Sequence, residues 1–390
     1  MINQERLERM RQAMDAERLD ALVLRLPENV LLLSGFWPMV GATVLIFPLD
    51  GKPVCVIPQC FEVEASMALW GATRAYYRYG VLGARDAGSE LAPILRGIAQ
   101  SGGWKRIGYE GSFETIAPAW NSAEILVPFS QTPFHAVFDG CEVIDASLLL
   151  QSQRRRKTAY EIAKLRTVNA ISCIGLETFE RSVEVGVSGV ELAAAVEREV
   201  MARGAGLDGA QRVRAYAQVA VGPEESALGY RPSEVSTRRP LRHGDAALLE
   251  LGVVADGYWA DRTRVRVAGE PDDEQVKIFE VVRRAQEAAI GALRSGITGA
   301  EADQAARSVI RDAGYAEFFP HITGHGLGFC YHESAPKLAP DSTDTLEENM
   351  VTSVEPGVYL KPPGGFRIED DVVITKDGAE ILGPFPKVIA

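Results

Sequence analysis

The sequence predicts an α/β N-terminal domain, residues 1–150, followed by a C-terminal α+β domain, residues 151–390, with a pseudo-twofold internal repeat. Three observations carry this. The 390 residues suggest two domains at about 100–200 residues each. Short apolar runs alternate with helical stretches down to about residue 147. Gly186-Val187-Ser188-Gly189-Val190-Glu191 then reappears as Gly296-Ile297-Thr298-Gly299-Ala300-Glu301.

Each element has a local reason. Leu7, Met10 and Met14 recur at helical spacing in a charged stretch, which predicts an amphipathic helix. ALVLRLPENVLLLSGF reads as an apolar run, a Pro-Glu-Asn turn and a second apolar run. ATVLIFPLDGKPVCVIP reads as a hairpin around Asp50-Gly51, a favoured turn dipeptide. RIGYEG and CEVIDAS are further strand-like runs. The basic cluster Arg154-Arg155-Arg156-Lys157 reads as a solvated linker, and Thr158-x-x-Glu161 after it is a capping box that opens a helix. In the repeat, Ser188 and Thr298 are hydroxyl N-caps, each with Glu three positions on, and Gly204 and Gly314 are expected to stop the two helices. Strand-like stretches follow each helix. ALLELGVVADGYWADRTRVRV predicts a strand, a turn at Asp256-Gly257 and a second strand.

Composition removes several functions. At 46% hydrophobic and 24% charged, the chain is an ordinary globular sequence. Its 53 acidic against 41 basic residues, a formal charge of -12, disfavour nucleic acid or a membrane surface as partners. No apolar run approaches the roughly 20 residues that span a bilayer. The polar first 20 residues lack a signal-peptide core, and five scattered cysteines form no framework, so a reducing cytoplasm is expected.

The chemistry concentrates in the second segment. Glu250 and Asp261 sit in the two strand-like runs around Asp256-Gly257, where such spacing lets them face each other; Glu355 and Glu369 sit in comparable runs. Four acids in strand interiors repel unless cations lie among them, and a divalent pair relieves this best. His321, His325 and His332 fall within twelve residues, His325 in a Gly-His-Gly frame that lets backbone approach closely. One imidazole with four carboxylates suits Mn, Co, Zn or Fe. His243, beside Gly244, reads as a turn residue.

These residues resemble a family. GYWADRTR, GHGLGFCYHE, SVEPGVYL and FRIEDDVVIT, with the Arg/Lys-x-x-x-x-Glu-Ile linker, look like the pita-bread fold of methionine aminopeptidase, prolidase, Xaa-Pro aminopeptidase and creatinase. DALVLRLPENVLLLSGF resembles the creatinase/prolidase N-terminal domain. The resemblance covers nearly the whole chain. It implies a metal set of Glu250, Asp261, His325, Glu355 and Glu369 holding two divalent ions. It also implies Glu355, His332 and His321 as catalytic groups, and Arg367, Tyr258 and Trp37 as substrate contacts, Trp37 reaching a neighbouring subunit's site. The implied activity is metal-dependent cleavage of an amide in a small substrate or dipeptide, of the Xaa-Pro kind, by a homodimer. Two departures stand out. Glu250 occupies the position of an aspartate, and Gly229, in GPEESALGYRPSE, takes the place of a histidine. A metal-free creatinase-like C–N hydrolase or lyase is the alternative, and a silent binding module the third reading.

Overall fold

A computed structural model describes residues 2–38, 42–62, 70–83, 86–111, 135–231 and 236–390. The chain forms two compact units and passes from one to the other between Arg154 and Arg155.

The first unit is built on β1 (Ala21–Leu24), β2 (Val44–Pro48), β3 (Val54–Pro58), β4 (Thr73–Tyr77), β5 (Arg106–Tyr109) and β6 (Glu142–Asp145). They form one mixed sheet in the order β4-β3-β2-β1-β5-β6. β1 pairs antiparallel with β2, and β2 with β3 through the hairpin carrying Gly51, whereas β4, β5 and β6 join parallel. All four residues of β1 are buried, as a central strand requires. Ala21, Val23, Val44, Ile46, Val56 and Ile107 of the sheet pack with Leu91 and Leu95 of the helix Ala87–Gly102. Leu7, Met10 and Met14 are the buried stripe of the helix Gln4–Ala16.

The expected Pro-Glu-Asn turn is instead a helix start. Pro27 opens the helix Pro27–Ser34, where its missing N–H costs nothing and its fixed φ fits. Gly35 ends this helix at φ +75°, a conformation that favours glycine. The N-terminus is capped from afar. Glu110, buried beyond β5, accepts N–H groups of Arg25 at 2.7 Å and Leu26 at 2.9 Å and the Asn29 amide at 2.8 Å. The basic cluster is not a solvated linker either. Arg154 and Lys157 are 2% and 0% exposed, each spent on a specific partner, Asn29 and Glu333.

The second unit shows the repeat. The helices Ala159–Ser182 and Gly189–Gly204 precede the sheet β7 (Val213–Val221), β8 (Ala246–Ala255) and β9 (Tyr258–Val267), with a short helix Gly222–Ser226 between β7 and β8. The helices Asp273–Ala292 and Gly299–Asp312 precede β10 (Gly324–Gly326), β11 (Glu333–Leu338), β12 (Val351–Val354), β13 (Gly357–Leu360), β14 (Gly364–Arg367), β15 (Asp370–Ile374) and β16 (Ala379–Ile381). The sheets run β7-β8-β9 and β11-β10-β12-β15-β16, with β13 and β14 as a separate pair.

The two copies open their second helices alike. Ser188 and Thr298 both form complete capping boxes. Gly186 and Gly296 both have φ +95°. Gly186 N–H donates to the Leu241 carbonyl and Gly296 N–H to that of Leu346, each at 2.8 Å. The helix stops differ from expectation. Gly314 has φ +89°, but Gly204 is still helical and Gly206, at φ +91°, turns the chain. Gly204 serves close packing instead, because a Cβ there would lie 2.6 Å from Ile171 Cγ2.

Candidate metal centre

β8 and β9 meet through a two-residue turn. Asp256 at φ +50° and Gly257 at φ +91° give the double positive φ that matches strand twist. The register pairs Gly252 with Asp261 and Glu250 with Thr263. Glu250 and Asp261 therefore do not sit opposite each other. They are diagonal neighbours on one face, and the Tyr331 hydroxyl lies 2.9 Å from Glu250 Oε1 and 3.0 Å from Asp261 Oδ1.

The second half supplies its two acids from just beyond strand ends and its imidazole from within a strand. Glu355 follows β12, its N–H donating to the Thr323 carbonyl at 2.8 Å. Glu369 lies between β14 and β15 and bridges antiparallel to Thr263 of β9. Thr263 Oγ1 donates to Glu369 Oε2 at 2.7 Å. His325 is the middle residue of β10.

These side chains converge as three overlapping sets: Asp261, His325 and His332; His325, Glu355 and Glu369; and Glu250, Asp261 and Glu369. Within each set the ligand-capable atoms lie within 4.8 Å of one another. Asp261 Oδ2 and Glu369 Oε1 accept no hydrogen bond among the described residues, although both side chains are 1% exposed. His325 donates Nδ1–H to the Gly326 carbonyl at 3.0 Å, which leaves a lone pair on Nε2. That lone pair faces Glu355 Oε1 at 3.3 Å and Asp261 Oδ2 at 3.6 Å. Buried lone pairs aimed at one another repel, and a cation among them removes the repulsion. The donors present therefore fit a divalent cation.

The electrostatics agree. Burial pushes the Asp261 carboxyl well up, and the Glu369, Glu250 and Glu355 carboxylates push it further. Glu369 is raised likewise, by burial and then by Glu355 and Glu250. Glu355 is raised to about 7, burial outweighing the opposing charge of Arg367. His325 is held low by burial and then by the neighbouring His332.

Arg367 is the cation that the sequence places here. It is 2% exposed, touches Glu250 Oε2, and donates to Thr263 Oγ1 at 3.0 Å, the Gly229 carbonyl at 3.1 Å and the Tyr359 hydroxyl at 3.0 Å. Tyr359 in turn lies 2.9 Å from His321 Nε2. His321 is therefore one tyrosine removed from the acids, with its Nδ1 on the Ile322 carbonyl at 2.8 Å. His332 is closer than expected, with Nε2 3.4 Å from Asp261 Oδ2.

Of the expected substrate contacts, Tyr258 lies on the face of its strand away from Asp261. Alternation along β9 puts Trp259, Asp261 and Thr263 on one face and Tyr258 on the other. Tyr258, 2% exposed, packs its ring 5.4 Å from Phe329. Trp259, the neighbour passed over, packs 5.5 Å from Tyr331. Trp37 belongs to the first unit and is 7% exposed within this chain. Gly229 is in place to accept from Arg367, while residues 232–235 of its loop lie outside the described residues. Sequence reasoning missed Tyr331 and Tyr359, although both stand inside the quoted motifs, beside His332 and after Glu355. His243 turns the chain before Gly244 at φ +82°.

Comparison with known proteins gives the same picture. Residues 6–155 match the creatinase/prolidase N-terminal domain and residues 163–376 match metallopeptidase family M24. The putative dipeptidase YkvY of Bacillus subtilis is 33% identical over 75% of this chain and 82% of its own. A Xaa-Pro dipeptidase of Pyrococcus horikoshii is 30% identical over 98% of this chain and 97% of its own. Among solved structures, a Xaa-Pro dipeptidase from Bacillus anthracis superposes with a TM-score of 0.80 at 29% identity, covering 99% of each chain. With M24 matching more than half its length, behind a creatinase/prolidase N-terminal domain, this chain belongs to metallopeptidase family M24, a two-domain pita-bread protein whose acid and imidazole cluster suits divalent metal.

Proposed function

We propose that this protein is a metal-dependent dipeptidase of the Xaa-Pro type, cleaving the amide before proline in a short peptide. The observation that carries the reading is the cluster itself, in which Asp261 Oδ2 and Glu369 Oε1 accept no hydrogen bond among the described residues and His325 Nε2 carries a lone pair facing Asp261 and Glu355. Glu250, Asp261, His325, Glu355 and Glu369 are the proposed holders of two ions, Mn, Co or Zn, with His332 within reach of Asp261. Such ions, when bound, supply an activated water and offset negative charge on the reacting amide.

The chain's own groups do the rest. Glu355, whose Oε1 faces His325 Nε2 at 3.3 Å, is the group proposed to take a proton from the attacking water and pass it to the leaving amine. His332, half-buried at the cluster, is placed to donate a hydrogen bond to the amide oxygen. The row His321–Tyr359–Arg367 is tied together by hydrogen bonds and holds the guanidinium against Glu250. His321 acts here by fixing Tyr359, with both ring nitrogens already engaged.

The test is metal analysis joined to a substrate panel. Protein purified without chelator should carry transition metal, and chelation should abolish Xaa-Pro hydrolysis that Mn or Co then restores. A metal-free, fully active protein would instead favour creatinase-like C–N chemistry. The homodimer is proposed on the resemblance alone, and sedimentation velocity at micromolar concentration tests it. A cytoplasmic location is consistent with five cysteines of which no two form a disulfide. Among the described residues no helix is long and apolar enough to cross a membrane.

A further inference from the structure

We propose that Tyr331 is a positioning residue for Glu250, its phenol hydroxyl fixing the far end of this long carboxylate at the metal centre. The inference rests on the metal-binding reading above.

Glu250 is the loosest of the acids. Its side chain is 25% exposed, against 1% for Asp261. Both its oxygens are nevertheless engaged, Oε1 by the Tyr331 hydroxyl at 2.9 Å and Oε2 by Arg367. The phenol is held independently of that bond. Tyr331 is 5% exposed, and its ring lies over Gly252, where a Cβ would come within 2.8 Å of Tyr331 Cε2. The absence of a side chain at 252 thus makes the berth. Trp259 closes one side with ring centroids 5.5 Å apart, and Tyr216 stacks on Trp259 at 5.8 Å. Two residues on, Glu333 pins the loop through buried bonds to Lys157 Nζ and Phe329 N–H, each 2.8 Å. A ring so packed is a fixed point, and the flexible carboxylate is the partner that adapts. The hydroxyl also lies 3.0 Å from Asp261 Oδ1, so one O–H group separates two acids from opposite strands of the hairpin.

Side-chain length distinguishes the two acids. Glu250→Asp shortens the reach by about 1.5 Å, too short to keep both the hydroxyl and the site. The hydroxyl should therefore matter most when residue 250 is glutamate.

The experiment is calorimetric titration of Mn²⁺ into chelator-treated full-length protein, for wild type, Tyr331→Phe, Glu250→Asp and the double variant. Loss of a partner that orients a ligand typically weakens metal binding 10–100-fold. Tyr331→Phe should weaken at least one Mn²⁺ binding event about tenfold, with the metal-free melting temperature close to wild type because the ring stays. In the Glu250→Asp background the same change should alter affinity less than about twofold, the mark of a coupled pair. Unchanged Mn²⁺ affinity in Tyr331→Phe overturns the inference. So does an equal loss in both backgrounds, which would assign the hydroxyl to Asp261. A wild-type chain that takes up no Mn²⁺ overturns the metal reading itself, and the inference with it.

Discussion

Lys157 and Glu333 form an ion pair at 2.8 Å with side chains 0% and 1% exposed. Glu333 Oε1 accepts the Phe329 N–H at 2.8 Å, so the carboxylate has one strong cationic partner and one amide. Lys157→Met keeps the apolar stem and deletes the charge. The glutamate is then left buried and uncompensated, which costs about 3–5 kcal/mol. In a unit of this size each kcal/mol moves the melting temperature by about 2–4 °C, so a drop of roughly 6–20 °C is expected by calorimetry. The double variant Lys157→Met/Glu333→Leu should recover most of it, because the stranded charge goes too. A residue of about 1–3 kcal/mol should remain, since the Phe329 N–H loses its acceptor. A single-variant loss below about 1 kcal/mol, or a double variant no better than the single, would refute the reasoning.

Three other outcomes follow from buried charge and close packing. Burial raises Glu110 from 4.5 to about 7 despite its bonds to Asn29, Arg25 and Leu26, a shift worth about 3 kcal/mol. Because the folded value is the higher one, that stability is full below about 4.5 and disappears as pH rises through about 7; Glu110→Gln should flatten this slope in thermal melts, and parallel curves would contradict it. Asp370 has the opposite sign. Burial pushes it up, but Arg264, Arg262 and Lys387 overcome this and hold it at about 2, so its contribution is present above 3.8 and lost as pH falls toward 2. Asp370→Asn should cost about 3–5 kcal/mol at pH 7 and weaken the acid dependence in urea titrations; a loss under 1 kcal/mol counts against the pairing. Gly229→His brings a Cβ to 2.5 Å from Leu248 Cδ2, a movable side-chain end, so it should fold with a loss of about 1–3 kcal/mol. It should also raise Xaa-Pro turnover if position 229 borders the substrate, and an unchanged kcat/KM would dissociate that loop from the chemistry.

Local signals in the sequence survived well. The capping boxes at Ser188 and Thr298 and the Asp256-Gly257 turn depend on few residues, so their patterns transfer directly into structure. The acids and imidazoles were legible because buried charge in apolar runs demands a partner. What the sequence concealed depends on long-range geometry. A one-residue change of face separates Tyr258 from Trp259, and period-2 alternation cannot be phased without the register. Arg154 and Lys157 look solvated because their partners, Asn29 and Glu333, are more than a hundred residues away. Pro27 reads equally as a turn or a helix opening until Glu110 arrives to cap it.

The bridge between Thr263 and Glu369 has a consequence for synthesis. The pocket draws on side chains from Glu250 to Glu369, so it closes only after both copies of the repeat have left the ribosome and docked. A stalled polypeptide lacking the later copy would lack His325, Glu355 and Glu369, and with them most of the metal centre.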